Sequence, residues 1–126
     1  MKKIAVVEDN PDNRELIWAI LSGDFEVTLY GSGPEALSGF HADLPELVLL
    51  DISLPQMDGP EVVRHIRADS VMQGLPVIAL TAHAMPGDRE KYLALGFNDY
   101  VTKPILDEKI LLDAIERWLE GRAGTS

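Results

Sequence analysis

Cysteine is absent from this 126-residue chain, which removes disulfides, thiolate nucleophiles and thiolate metal sites and is compatible with a reducing compartment. Long apolar runs are missing as well. The first apolar stretch stops after Val7 at two acids, shorter than a signal-peptide core, and no run approaches the roughly 20 residues of a membrane span. Basic charge is scarce: 11 lysines and arginines stand against 21 aspartates and glutamates, a formal charge of -10. A field of that sign repels nucleic-acid phosphates, and only the isolated Arg64 and Arg67 interrupt it, so direct DNA binding is disfavoured. The expectation is a soluble, cytoplasmic chain with no membrane insertion.

What is present reads as one folded unit. Apolar residues at 46% and charged residues at 25% are ordinary globular values, and the length suits a single domain with its own core. That domain is expected over residues 1–120, with 121–126 as a flexible tail.

Short β-branched or leucine-rich runs alternate five times with segments of helical period, the pattern of repeated βαβ units. The strands are predicted at Ile4 to Val7, Phe25 to Tyr30, Leu47 to Leu50, Val77 to Leu80 and Asp99 to Thr102. Asn10 can cap a first helix with Pro11 at its first position, and Leu16, Ile17, Ile20 and Leu21 form its apolar stripe. Gly33-Pro34-Glu35 and Gly59-Pro60-Glu61 open the second and third helices, and Asp88 to Leu95 forms the fourth, with Gly96 suited to a left-handed cap. The last helix is expected from Asp107 to Glu120, its core stripe being Leu111, Ile115, Trp118 and Leu119. Trp18 and Trp118 are expected to pack. Short connections and apolar strands favour a parallel sheet with helices on both faces, a three-layer α/β domain.

In such a sheet the carboxyl ends of the strands face one crevice. Glu8-Asp9, Asp51, Thr81 and Lys103-Pro104 each follow or end an apolar run. Two carboxylates about 4 Å apart repel by roughly 4 kcal/mol at an effective dielectric near 20, so Glu8, Asp9 and Asp51 together demand a counter-charge. A hard divalent ion such as Mg²⁺ suits carboxylate oxygens, and Lys103 supplies a second positive charge. A carboxylate flanked by a metal, an ammonium and the Thr81 hydroxyl can attack an activated phosphorus, with Asp51 as nucleophile. Each motif alone has an ordinary reading as a helix cap, surface turn or strand end; the joint occurrence carries the argument.

The chain resembles the receiver domains of two-component response regulators from Lys3 to about Leu119. The resemblance rests on Val7-Glu8-Asp9-Asn10, Leu50-Asp51-Ile52-Ser53-Leu54-Pro55-Gln56-Met57-Asp58-Gly59, Ala79-Leu80-Thr81-Ala82 and Tyr100-Val101-Thr102-Lys103-Pro104-Ile105. It implies a flavodoxin-like doubly wound (βα)5 sandwich with strand order 2-1-3-4-5, which alternation alone does not establish. It further implies that Asp51 is the phosphoacceptor, that Glu8, Asp9 and the Ser53 backbone carbonyl join Asp51 around Mg²⁺, with Mn²⁺ as a substitute, and that Thr81 and Lys103 bind phosphoryl oxygens. Its switch couples inward movement of the Thr81 hydroxyl to rotation of Tyr100. Ser53 and His83 are positions that vary among receivers and border the site, as do Ala82 and Pro104; His83 reads first as an exposed loop residue and second as an influence on attacking water. His41 and His65 read as surface residues.

By the same resemblance the phosphoryl donor is a histidine kinase or histidine phosphotransfer protein. A downstream protein would bind the face made by the fourth helix, fifth strand and fifth helix, and the chain would be a monomer or a phosphorylation-dependent dimer. Independently of the resemblance, Ile110 and Leu112 lie beside the core stripe of the last helix and read either as a partner or dimer surface or as ordinary burial. Asn13 and the run Thr81 to Met85 look most like receivers of phosphorelays and hybrid kinases. A stand-alone regulator and a receiver excised from a hybrid kinase are both compatible with this, and autophosphorylation is the only catalysis expected. Three other classes fit less well. A flavin binder needs a phosphate loop where Glu8-Asp9 stands, an aspartyl-phosphate phosphatase wants an aspartate where Ser53 stands, and a phosphate-independent adaptor leaves the acidic, lysine and threonine set unexplained.

Overall fold

The computed structural model describes residues 1–82, 85 and 87–124. Five parallel strands, β1 (Lys3–Val7), β2 (Glu26–Tyr30), β3 (Leu47–Asp51), β4 (Val77–Thr81) and β5 (Asp99–Thr102), form one sheet in the order β2-β1-β3-β4-β5. Five helices connect or follow them: α1 (Pro11–Leu21), α2 (Gly33–Ala42), α3 (Gly59–Ala68), α4 (Asp88–Leu95) and α5 (Glu108–Gly124). This is the three-layer flavodoxin-like architecture expected from the sequence, and no helix among the described residues is long and apolar enough to cross a membrane. The last helix runs four residues beyond Glu120; Thr125 and Ser126 lie outside the described residues.

Strand periodicity divides the core in two, because successive side chains point to opposite sheet faces. Ile4, Val6, Leu47, Leu49, Ile78, Leu80 and Val101 meet Ile17 and Leu21 of α1 and Leu111, Ala114 and Ile115 of α5. On the other face Ala5, Val7, Val48, Leu50, Val77 and Ala79 meet α2, α3 and α4 through Phe40, Val62, Ile66 and Tyr92. The central strands β3 and β4 are buried along their whole length, so they read as continuous apolar runs rather than as alternation. Edge strand β2 departs from that pattern, with Glu26, Thr28 and Leu29 exposed.

Local chemistry starts the first three helices in the same way. The side chains of Asn10, Ser32 and Asp58 accept from the backbone N–H of Asn13, Glu35 and Glu61 at 3.1, 3.3 and 3.0 Å, each followed by a proline in the first turn. Gly96 ends α4 with φ of 112°, a left-handed conformation that favours glycine.

Two sequence expectations for α1 are corrected. Ile17 and Leu21, one i,i+4 ridge, enter the core with Ile20 beside them, whereas Leu16 is 45% exposed; it lies about 100° round the helix from Ile17 and misses the sheet. Trp18 is 48% exposed, on the solvent side. Trp118 does pack against the core beside Leu119, half-buried, while Ile110 stays exposed and Leu112 half-buried.

The loop between β3 and α3 is held to the strand end. Gly59 N–H donates to Ile52 O at 3.0 Å, and a Cβ at Gly59 would fall 2.6 Å from Asp51 O and 2.8 Å from Ile52 Cα. These are backbone atoms that no rotamer change can clear. Gly59→Ala is therefore expected to cost about 1–3 kcal/mol of stability, read as a lower urea midpoint, and an unchanged midpoint would show that the loop yields freely.

Candidate functional site

Strand register assembles the carboxyl edge. Val7 pairs with Leu50, Asp51 with Leu80 and Thr81 with Thr102, so Glu8, Asp51, Thr81 and Lys103 come out side by side although 95 positions separate the first from the last. Lys103 N–H donates to Thr81 O at 2.7 Å, extending the β4–β5 ladder to the lysine itself. The Lys103–Pro104 peptide is cis.

Glu8 and Asp51 are 1% and 2% exposed. Asp51 closes β3, and its Oδ1 accepts from Ser53 N–H at 2.9 Å while its Oδ2 accepts from Lys103 Nζ at 2.9 Å. The same ammonium donates to Glu8 Oε2 at 3.3 Å. Glu8 Oε1 accepts from Asn10 N–H at 3.2 Å and Asn13 Nδ2 at 3.5 Å, and Glu8 N–H donates to Tyr30 O. Asp9 is exposed at the rim.

Burial sets the electrostatics. It pushes the Glu8 carboxyl above its ordinary 4.5, helped by hydrogen bonding and charge from Asp51 and opposed by Lys103 and the Asn10 amide. Burial alone would lower Lys103, but the hydrogen bond and charge of Asp51, and then those of Glu8, hold its ammonium above 10.5. The lysine is thus charged at any physiological pH.

Glu8, Asp9 and Asp51 each offer a carboxylate oxygen within 4.8 Å of the others. Three carboxylates against one ammonium leave excess negative charge, and the donors are hard oxygens on one partly open side. That set fits a divalent cation such as Mg²⁺. Thr81 is 3% exposed, and its Oγ1 accepts from the Tyr92 hydroxyl at 3.0 Å. Tyr100 is half-buried, its ring 5.5 Å from that of Tyr92. Ser53, Ala82 and Pro104 are exposed at the border, and His83 lies outside the described residues.

A model of the response regulator receiver domain matches residues 4–116. The chain belongs to the response regulator receiver domain family. It is 40% identical over 122 residues to hybrid signal transduction histidine kinase I of Dictyostelium discoideum, covering 90% of this chain and 7% of that protein. It is 38% identical over 105 residues to the polar-differentiation response regulator DivK of Brucella ovis, covering 82% and 85%. Among solved structures, the receiver domain of a Pseudomonas aeruginosa sensor histidine kinase, with a magnesium ion coordinated in its active site cleft, is 38% identical with a TM-score of 0.85, covering 94% of this chain and 98% of that one. Receiver domains are phosphoacceptor signalling units that work with histidine kinases or phosphotransfer proteins and bind Mg²⁺ at an acidic pocket.

Several residues of this receiver were not legible as important. Arg67, noted from sequence only as an isolated basic charge, is half-buried and donates to Gly96 O, Gln73 O, Leu75 O and Asn98 Oδ1 at 2.6–2.9 Å; burial lowers its pKa. Asp99, 5% exposed, accepts from Arg89, Arg117 and Trp118 Nε1 at 3.3, 2.9 and 3.0 Å, joining α4, β5 and α5. Tyr92 reads only as one more residue of α4. Their partners lie on other elements, so no local pattern marks them. His41, at the surface, pairs with Asp69 at 3.3 Å.

Lys103→Ala would leave Glu8 and Asp51 buried without their counter-charge, an expected loss of the order of 3 kcal/mol near neutral pH. Because the Glu8 pKa is raised, its ionised form opposes folding as the pH climbs above 4.5; the variant's deficit should shrink as the pH falls toward that value. Mg²⁺ should restore part of it at pH 7. Denaturation curves at the two pH values, with and without Mg²⁺, check this, and a deficit indifferent to both would contradict it.

Proposed function

We propose that this receiver accepts a phosphoryl group on Asp51, and that phosphorylation shifts a protein-binding surface. The observation that carries the reading is the Lys103 ammonium shared between the buried carboxylates of Asp51 and Glu8, with Asp9 alongside. Asp51 is immobilised by Ser53 N–H on one oxygen and by Lys103 on the other, which is a nucleophile with its orientation already set.

One carboxylate oxygen of Asp51 attacks the phosphorus of a phosphohistidine on a histidine kinase or phosphotransfer protein. The new oxygen–phosphorus bond forms as the phosphorus–nitrogen bond breaks, and its electron pair stays with the departing imidazole. Bound by Glu8, Asp9, Asp51 and the Ser53 carbonyl, Mg²⁺ supplies charge neutralisation for the incoming group, and Mn²⁺ substitutes. Lys103 and the Thr81 hydroxyl stabilise the charge on the phosphoryl oxygens. Water attack on the acyl phosphate later regenerates the carboxylate, so the chain turns over nothing but its own aspartyl phosphate.

The switch runs through Thr81 and Tyr100 to the face formed by α4, β5 and α5, where a downstream protein docks or a second copy forms a phosphorylation-dependent dimer. Exposed Leu93, Leu106 and Ile110 offer apolar contact there. The receiver unit is residues 1–120, in a reducing, cytoplasmic setting. Its relatives include both a receiver within a far longer hybrid kinase and a regulator of similar length, and either arrangement accommodates this chemistry.

Intact-protein mass spectrometry after incubation with acetyl phosphate and Mg²⁺ is expected to show one phosphoryl group, located at Asp51 by peptide mapping, with none in Asp51→Asn. Full labelling of that variant would place the acceptor elsewhere. Asp9→Ala should weaken Mg²⁺ binding by roughly tenfold or more, measured by titration, and an unaltered affinity would remove Asp9 from the ligand set.

A further inference from the structure

Arg14 is a cation for which the acceptor chemistry has no use. It stands at the end of the first turn of α1, half-buried, and its Nη1 donates to the backbone oxygen of Glu8 at 3.0 Å. Glu8 is the first residue beyond β1, where the chain turns away toward α1. Its N–H still donates to Tyr30 O at 3.0 Å. Its carbonyl lies past the β1 ladder, and a buried carbonyl needs a donor; Arg14 supplies one from the helix.

Gly31 makes room for this reach. A Cβ there would fall 2.8 Å from Arg14 Nη1, so the guanidinium takes the space that a side chain would fill. The Gly31 backbone lies outside the left-handed region, and what glycine offers at this position is the missing Cβ. Its N–H donates to Glu35 Oε2 at 3.3 Å, which holds the surface beneath the guanidinium in place. The first turn of α1 thus grips Glu8 twice, with Asn10 N–H and Asn13 Nδ2 on the carboxylate and Arg14 on the main chain.

We infer that Arg14 is a positioning residue for the metal-binding loop: seated against Gly31, it fixes the Glu8 carbonyl and so sets the direction in which Glu8 and Asp9 leave β1 toward a divalent cation. The inference rests on the reading of Glu8, Asp9 and Asp51 as the Mg²⁺ ligands. The Glu8 carbonyl and the Asp9 N–H belong to one planar peptide, so a bond to that oxygen restrains both residues. Asp9 is exposed, and its carboxylate has no hydrogen-bond partner among the described residues; its placing therefore depends on the backbone. A bare charge would act in the opposite sense. Arg14 serving only as a cation beside an acidic pocket would oppose a divalent ion, and its removal would tighten binding. Removal of a clamp weakens binding. Gly31→Ala separates the two roles again, because it displaces the guanidinium and keeps its charge.

Mg²⁺ titration of the full chain, followed by two-dimensional amide NMR in about 0.5 M salt, tests this with charge screened beyond about 4 Å. The set is wild type, Gly31→Ala, Arg14→Met, the double variant and Gly23→Ala, whose Cβ would meet nothing within 4 Å. Gly31→Ala should weaken Mg²⁺ binding by roughly two- to tenfold, the range for one hydrogen bond, with the Asp9 and Asn10 amides displaced before metal is added. Arg14→Met should weaken it similarly. The double variant should bind no more weakly than Arg14→Met, since the group that the methyl displaces is gone. Gly23→Ala should match the wild type.

Tighter binding by Arg14→Met would make Arg14 a charge only. An equal loss from Gly31→Ala in the Arg14→Met background, or the same loss in Gly23→Ala, would show that the methyl acts by another route, and each of these results overturns the inference. If the wild type takes up no Mg²⁺, the metal reading of Glu8, Asp9 and Asp51 fails and takes the inference with it. If the wild type binds Mg²⁺ and Gly31→Ala binds it equally well, only the role of Arg14 fails. Should Arg14→Met not fold, Gly31→Ala against Gly23→Ala decides by the same measure.

Discussion

A single ammonium between two buried carboxylates is the constraint around which this domain is built. Glu8 and Asp51 are withdrawn from water by the sheet, and a carboxylate so placed is costly unless it is paired and hydrogen-bonded. Lys103 meets both, reaching from the end of β5 across β4. The arrangement compensates one charge of two and leaves the exposed Asp9 to add another, which is why the pocket suits a divalent cation electrostatically. One lysine meets both acids only because the sheet order places β1 beside β3.

A third buried acid organises the opposite end of β5. Asp99 draws Arg89 from α4 and Arg117 and Trp118 from α5 onto one carboxylate, so the two helices flanking β5 are joined through it. Lys103 sits at the other end of that four-residue strand. Nearer the site, the Tyr92 hydroxyl meets Thr81 Oγ1 and its ring meets that of Tyr100.

Much of this was legible in the chain itself. Strands show because runs such as Leu47 to Leu50 are buried on both faces and need no polar alternation, and helix starts show because Asn10-Pro11 and Gly59-Pro60 act within a few residues. Leu16 and Trp18 were misread because apolar periodicity reports which residues share a side of a helix, not how wide a stripe the sheet covers. Arg67 carried no structural signal because its acceptors lie up to 31 positions away, beyond any local pattern. Asp99 looked like a strand start, and nothing within its own element signals that three donors converge on it from two other elements.

By itself the sequence determined the number and type of elements, their caps, and the placing of an acid, a hydroxyl or a lysine at the end of successive apolar runs. Those outcomes depend on periodicity and on hydrogen bonds spanning a few residues. Only the tertiary structure decided which carboxylates lose water, that Asn10 and Asn13 orient Glu8 while Ser53 orients Asp51, and that Tyr92 meets Thr81. The reason is that burial and ion pairing join groups distant in sequence, 52 positions for Asp51 with Lys103 and 95 for Glu8 with Lys103, and their energies exist only once strand order and register bring those groups together.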